Sequence, residues 1–323
     1  MSSPNGSVKL SSPRRFVVRP WAYDVALDGF GRLVPLGKER ETPYGIAMRV
    51  LVTGATGKVG SRLARRLAFR GDQIRALVRD PGRASELRER HAEVMRGDLL
   101  DHGSLEAAVD GVQAVVHCAA LFFPGTTSEQ AHAINGLGTQ RLAELARAAG
   151  AKRFVFISTG LVYGGNGGRL ACEDDPCSPS PGYFAGRLAA ERTLLAVDGL
   201  DIRILRLALV YGDGDPHIEE IVPRMRGFPP GRHISIVHHA DVARAVALVL
   251  DAPSPSHRIY NVVDDEAPDL TTLFASVGAP PPDGSAAEAG QADNVLLDGR
   301  RLREDLGFKP EYPRLRDAIA AGA

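Results

Sequence analysis

Cysteine is scarce. Cys118, Cys172 and Cys177 are the only three in 323 residues, and an odd number cannot all pair within one chain. A disulfide-built secreted fold is therefore not expected, and a reducing cytoplasm is the compartment expected. Charge of either sign is also lacking in excess. Lys+Arg and Asp+Glu are both 39, so the formal net charge is zero. That argues against a nucleic-acid binder working through overall charge. Long apolar runs are missing: the best stretch, Val112 to Pro124, is short and carries His117. A spanning helix needs about 20 apolar residues, so no membrane partner is expected. The first residues, MSSPNGSVKL, lack an apolar core of the secretory type. What is present is 44% hydrophobic residues and 24% charged, ample for a globular core.

Two unequal parts follow. Residues 1–47 hold seven basic and four acidic side chains and the single tryptophan, Trp21, without sustained periodicity. They read as a loosely ordered N-terminal extension, or else an arm docking Trp21. From Met48 the pattern alternates short β-branched runs with amphipathic helices. Strands are expected at Val50–Val52, Ile74–Val78, Val94–Met95, Ala114–Cys118, Phe154–Ser158 and Ile202–Leu207. Helices are expected at 58–70, 84–91, 104–109, 129–149 and 183–196, then at 240–251 and 312–320. Alternation of this kind predicts an α/β fold, a doubly wound parallel sheet of Rossmann type covered on both faces. The rhythm loosens after residue 212. Segments 213–237 and 266–323 are expected to form a smaller C-terminal substrate lobe on the 48–323 domain.

The first strand runs into Thr53-Gly54-Ala55-Thr56-Gly57-Lys58-Val59-Gly60. A glycine-rich turn between strand and helix is the setting a dinucleotide requires. Gly54 permits the tight turn, Gly57 lets backbone approach a pyrophosphate, and Gly60 allows close helix packing. Thr56, Lys58 and Val59 lie in the same turn and are counted with the cofactor-binding residues. A phosphate loop of the nucleoside-triphosphatase type is excluded by the spacing and by Val59, where Ser or Thr would hold magnesium. The second strand ends Val78-Arg79-Asp80. An acid there suits a ribose 2′-hydroxyl and an arginine a 2′-phosphate. Arg79 comes first and Arg83 adds charge, so NADP is favoured, with NAD as the alternative.

These pieces, together with RGDLLD (96–101), VVHCAA (115–120), INGLGTQRLAELARAAGAKRFVFIST (134–159), LVYG (161–164), YFAGR (183–187), LRLALVYG (205–212), HHADVARA (238–245), YNVVDD (260–265) and LREDLGFKP (302–310), resemble in order the extended short-chain dehydrogenase/reductase family, epimerase/dehydratase-like branch. The resemblance implies that Asp98 and Leu99 contact the adenine end and that Ala119 and Ala120 line the cofactor groove. It further implies that Asn135 supports the active site from its helix and that Leu209 and Val210 border the cofactor. Thr159 is implied as the catalytic hydroxyl, ahead of its neighbour Ser158, and Tyr183 as the proton-transfer residue.

The chemistry is consistent with those roles. A free phenol has a pKa near 10, too high for an efficient base at neutral pH, and a nearby cation lowers it. Tyr183 and position 187 share one helical face. The family places lysine at 187, whereas this chain has Arg187, a cation that cannot relay a proton. Activity is accordingly in question, and a cofactor-binding sensor is the rival. In the related sugar-nucleotide dehydratases Asp and Glu follow the catalytic threonine. Here Gly160 and Leu161 do, so elimination lacks its acid and base. A small or medium alcohol or ketone is the expected substrate, with a sugar or sugar-nucleotide epimerase as a further alternative. Cys172 and Cys177 flank Glu173, Asp174 and Asp175 in no zinc spacing, so no metal is expected. His117 is expected to be hydrogen-bonded structure, His238 and His239 to cap or pack, and Arg206 to form an ion pair. The oligomeric state stays open, with a homodimer entertained.

Overall fold

Each of the six strands expected between Met48 and Leu207 joins one parallel sheet. The computed structural model describes residues 47–121, 132–165, 167–180, 182–253, 256–285 and 295–323, together with the backbone of 25–27 and 33–35. Internal contacts divide the chain into Met1–Thr42 and Pro43–Ala323. In the first unit, β1 (Val25–Leu27) pairs antiparallel with β2 (Leu33–Pro35); Trp21 lies outside the described residues.

The second unit holds β3 (Arg49–Thr53), β4 (Gln73–Val78), β5 (Glu93–Arg96), β6 (Ala114–His117) and β7 (Arg153–Thr159). It continues with β8 (Leu170–Ala171), β9 (Asp201–Leu207), β10 (Leu209–Tyr211), β11 (Ile236–His238), β12 (Ile259–Val262) and β13 (Leu296–Leu297). Seven of these form a parallel sheet in the order β12-β9-β7-β6-β3-β4-β5. The chain winds outward from β3 to β5, returns to β6 on the other side, and winds outward again. The switch between β3 and β6 opens a crevice at their carboxyl ends, where ligands of such sheets bind.

Alternation along the strands sends successive side chains to opposite faces. Val50, Val52, Val116, Val155 and Ile157 pack with Leu63 and Leu67 of the helix Lys58–Arg70 and with Val242 and Val246 of the helix His239–Asp251. Leu51, Val115, Phe154 and Phe156 face the other way, against Leu105, Leu142 and Leu194 of three further helices. This is the doubly wound arrangement expected of continuous apolar strands.

Some local expectations shift. Of the helix expected over 129–149, residues 129–131 lie outside the described residues. His132–Gly138 is a wide π-type turn that tightens into an α-helix only at Thr139–Ala148. Gly136 and Gly138 weaken regular helix there, and a Cβ on Gly138 would stand 3.0 Å from that of Leu99. Beyond residue 212 the loosened pattern conceals ordered elements: β11, which pairs with β10, the edge strand β12, and the helices Leu270–Ser276 and Arg300–Leu306. Tyr211, Ile218, Val222, Ile236, Leu273, Phe274 and Leu315 close a third core. Elements this short carry too few residues for periodicity to register.

Two buried carboxyls tie this C-terminal layer together. Asp241 accepts from the backbone N–H groups of Glu311 and Tyr312 at 2.5 and 3.0 Å. Asp264 accepts from the Tyr211 hydroxyl at 3.0 Å and from the His238 N–H at 3.3 Å. Burial first, and then the charge of Asp241, push the Asp264 carboxyl up to about 8.

Two predictions follow from this packing. A Cβ on Gly60 would lie 2.2 Å from the Gly54 carbonyl oxygen, whereas one on Gly186, inside the helix Tyr183–Leu195, meets nothing within 4 Å. Urea unfolding should show Gly60→Ala destabilised by at least about 1–3 kcal/mol and Gly186→Ala stabilised by about 0.5–1 kcal/mol. Because the Asp264 pKa is raised on folding, its protonated form favours the native state. That contribution is full below the unfolded value of about 4 and is lost as pH rises through about 8. Unfolding free energies between pH 5 and 9 should fall more steeply for the wild type than for Asp264→Asn.

Candidate dinucleotide site and active site

The glycine turn is built by direct backbone contact. Gly54 has φ +68°, which only glycine adopts cheaply, and its carbonyl accepts from the Gly57 N–H at 2.9 Å. A Cβ on Gly54 would sit 2.6 Å from the Ala119 nitrogen, so the loop after β6 lies against the turn. Behind it, Thr53 Oγ1 lies 2.6 Å from His117 Nδ1 and accepts from the Ala119 N–H at 3.3 Å. His117 Nε2 meets Thr139 Oγ1 at 2.8 Å. Burial, reinforced by the charge of Arg187, pushes the imidazole down to about 3. His117 is thus a neutral structural link, as expected of a lone strand histidine.

The helix Lys58–Arg70 begins at Gly57 with no side-chain cap and no acid in its first turn. Its first N–H groups and the positive end of its dipole face the turn without a competing anion of their own. The cradle therefore fits a dinucleotide pyrophosphate, with Gly54, Thr56, Gly57, Lys58, Val59 and Gly60 as the residues that would hold it. The Lys58 ammonium is itself paired with Glu220 and lies 3.5 Å from Asp215.

Around the turn, the anticipated cofactor residues take distinct positions. Arg79 and Asp80 are exposed after β4, and the Asp80 carboxylate accepts from the Gly82 N–H at 2.9 Å. Asp98 accepts from the Leu100 N–H at 2.9 Å, and Leu99 is buried. Ala119 and Ala120 are half-buried at the end of β6. Asn135 is fully buried, and its amide clamps Leu121, accepting from the N–H at 2.7 Å and donating to the carbonyl at 3.1 Å. It holds the loop after β6 rather than offering free donors. Leu209 and Val210 run along β10.

Thr159 ends β7 half-buried, its Oγ1 accepting from the Leu161 N–H at 3.2 Å. Tyr183 opens the helix Tyr183–Leu195, with its ring edge-on to Phe184 at 5.4 Å. One turn on, Arg187 is 2% exposed. Its Nη2 donates to the Ile157 carbonyl, two residues before Thr159, and its guanidinium lies 4.1 Å from the Phe156 ring centroid. Nε and Nη1 have no partner among the described residues. Desolvation pulls the Arg187 pKa down, opposed by Tyr183 and Glu191. Burial pushes the Cys118 thiol up to about 12 despite Arg187.

Sequence reasoning missed the partner of Arg206. Glu191, one turn beyond Arg187, accepts from Arg206 Nη2 at 2.7 Å, both side chains being under 5% exposed, and also from Ser158 Oγ. Arg206 stacks on Tyr163, whose hydroxyl donates to Asn261 at 2.7 Å. The signal was a charge at helical spacing from Arg187 beside a charge inside an apolar strand. Ser158 is thereby spent on structure. His238 caps its helix by accepting from the Ala240 N–H at 3.1 Å, and His239 pairs with Asp215 at 2.8 Å. Among the described residues no group of acids, cysteines and histidines forms a metal site.

The family profile described as the NAD dependent epimerase/dehydratase family matches residues 50–263, and the chain belongs to that family. It is an NAD(P)-dependent enzyme of the extended short-chain dehydrogenase/reductase type. It is 33% identical to a 3-diazoavenalumate denitrifying reductase of a Streptomyces species, over 84% of this chain and 99% of that protein. It is 31% identical to the UDP-glucose 4-epimerase of Mycolicibacterium smegmatis, over 84% and 96%. Among solved structures, the Streptomyces venezuelae dTDP-glucose 4,6-dehydratase DesIV with NAD and TYD bound superposes with TM-score 0.72. That pair is 27% identical and covers 85% of this chain and 95% of the other.

Removing one partner of the Glu191–Arg206 pair leaves the other charge buried alone. Glu191→Gln is expected to cost about 3–5 kcal/mol, read as a lowered melting temperature, and Glu191→Gln combined with Arg206→Met should recover part of the loss.

Proposed function

We propose that the protein is an NADPH-dependent oxidoreductase that interconverts a ketone and a secondary alcohol on a small or medium substrate. The observation that carries this reading is the environment of Thr159. The next residue, Gly160, is buried, and a Cβ there would stand 2.6 Å from Leu297 of β13. No acid follows the threonine, and the packing leaves little room for one. Redox chemistry at an alcohol carbon needs no such acid, whereas elimination does. The Streptomyces reductase and a Stigmatella aurantiaca ketoreductase, 28% identical over 80% of both chains, support the same class. The mycobacterial epimerase favours a second reading, a sugar epimerase that oxidises and re-reduces one carbon.

When bound, a nicotinamide cofactor supplies the hydride. Thr159 would hold the substrate oxygen by hydrogen bond. Tyr183 would give that oxygen its proton as the carbonyl becomes an alcohol, and would regain one from solvent. Arg187 would stabilise a phenolate as a fixed cation and would not itself transfer a proton. The exposed Arg79, with the Asp80 carboxylate engaged by Gly82, supports the 2′-phosphate of NADP over a bare ribose. Free cysteines support a reducing, cytoplasmic setting.

A ketone panel followed by nicotinamide absorbance tests the reading. Turnover with at least one ketone should fall by about 10²–10⁴ in Tyr183→Phe; unchanged turnover refutes the assignment. Arg79→Ala should weaken NADPH roughly tenfold, the order expected for one exposed charge-assisted contact, and leave NADH nearly unaffected. Tighter binding of NADH by the wild type would reverse the cofactor preference.

A further inference from the structure

The helix behind the glycine turn carries a row of cations. Lys58, Arg62 and Arg66 recur every four residues, so they share one face of the helix Lys58–Arg70. All three reach the segment 213–220 of the C-terminal layer. Arg66 grips the Asp213 carboxylate through Nε at 2.9 Å and Nη2 at 2.6 Å. Arg62 Nε donates to the Asp213 carbonyl at 3.1 Å. The backbone they hold is a left-handed turn, with φ of +87°, +52° and +66° at Gly212, Asp213 and Gly214. Aspartate seldom adopts that conformation, and the two-pronged arginine contact keeps it there. The Asp215 carboxylate, its side chain 1% exposed, accepts from His239 Nε2 at 2.8 Å through Oδ2. Its Oδ1 accepts no hydrogen bond among the described residues and faces the Lys58 ammonium at 3.5 Å. Lys58 also pairs with Glu220 of the short helix His217–Ile221.

The three cations differ in how easily they can change partner. The Arg62 and Arg66 side chains are 13% and 23% exposed, and both are fixed on Asp213. Lys58 and Glu220 are 40% and 53% exposed. An exposed ion pair is weak, worth at most about a factor of five in an equilibrium. Lys58 is also the first residue of its helix, directly after Gly57, so its side chain springs from the turn that fits a pyrophosphate. We propose that Glu220 and the diphosphate of the cofactor compete for one ammonium, that of Lys58. The C-terminal layer thereby sets cofactor affinity from outside the glycine turn, and the Lys58–Glu220 contact acts as a brake on binding. Arg62, Arg66 and His239 keep Asp213 and Asp215 in place when Lys58 turns away, so the exchange breaks one exposed contact and leaves the segment folded. The proposal rests on the dinucleotide reading of the glycine turn. It holds for NADP and NAD alike, since both carry the diphosphate.

The test is equilibrium binding to the purified full chain by calorimetry, with no turnover involved. ADP-ribose and 2′-phospho-ADP-ribose, which share the diphosphate and lack the nicotinamide, are titrated against wild type, Glu220→Gln, Lys58→Met and the double variant. Glu220→Gln should bind both probes about twofold to fivefold more tightly than wild type, the span open to an exposed ion pair. Lys58→Met should bind them about fivefold or more weakly, through loss of a charge-assisted contact. The double variant should match Lys58→Met within about 1.5-fold, because nothing is left to compete for. A gain from Glu220→Gln that persists in the Lys58→Met background would mark plain repulsion by Glu220 and overturn the competition. Unchanged or weaker binding by Glu220→Gln overturns it too, as does an effect confined to the probe with the 2′-phosphate. Each of these results leaves the dinucleotide reading standing. Failure of both probes to bind the wild type would overturn both.

Discussion

The approach of three backbone segments at the switch between β3 and β6 is the constraint on which the site depends. Gly60 rests on the carbonyl of Gly54, and Gly54 rests on the amide of Ala119. A side chain at either glycine would push the Lys58–Arg70 helix off the turn or the β6 loop off the crevice. The same closeness leaves the helix N-terminus uncapped and aimed at the crevice. Sheet topology, helix dipole and phosphate affinity are thus consequences of one packing arrangement.

Behind that crevice the protein handles its buried charges in two ways. Arg206 is neutralised by a bidentate carboxylate and ringed by Ser158, Tyr163 and Asn261, a network whose members satisfy one another. Such a pair organises the end of β7 at little net electrostatic gain, since desolvation offsets attraction. Arg187, four residues before Glu191 on the same helix, is as deeply buried but donates only to the Ile157 carbonyl and makes no salt bridge among the described residues.

The fold was legible because its signals are local. Val50–Val52 and Phe154–Ile157 are apolar on both faces, Ile202–Leu207 is largely aliphatic, and helices of ten or more residues lie between such runs, which fits a parallel sheet and little else. The glycine turn was legible for the same reason: its spacing is itself the geometry. Asn135, Thr159, Tyr183 and Arg187 came from resemblance, and their mutual contacts could not be read along the chain. The short strands β8, β10, β11 and β13 escaped because two or three residues define no period and their partners are distant in sequence.

By itself, then, the chain order of residues determined the strand–helix alternation, the phosphate-binding turn and the substitution of arginine for lysine. Only the tertiary structure decided that Glu191 answers Arg206 and not Arg187, that Asn135 serves the loop after β6, and that Leu297 closes over Gly160. Periodicity and turn chemistry act between near neighbours and are written linearly. Charge pairing and steric closure depend on which distant segments meet, and that is settled only when the two faces of the sheet are packed.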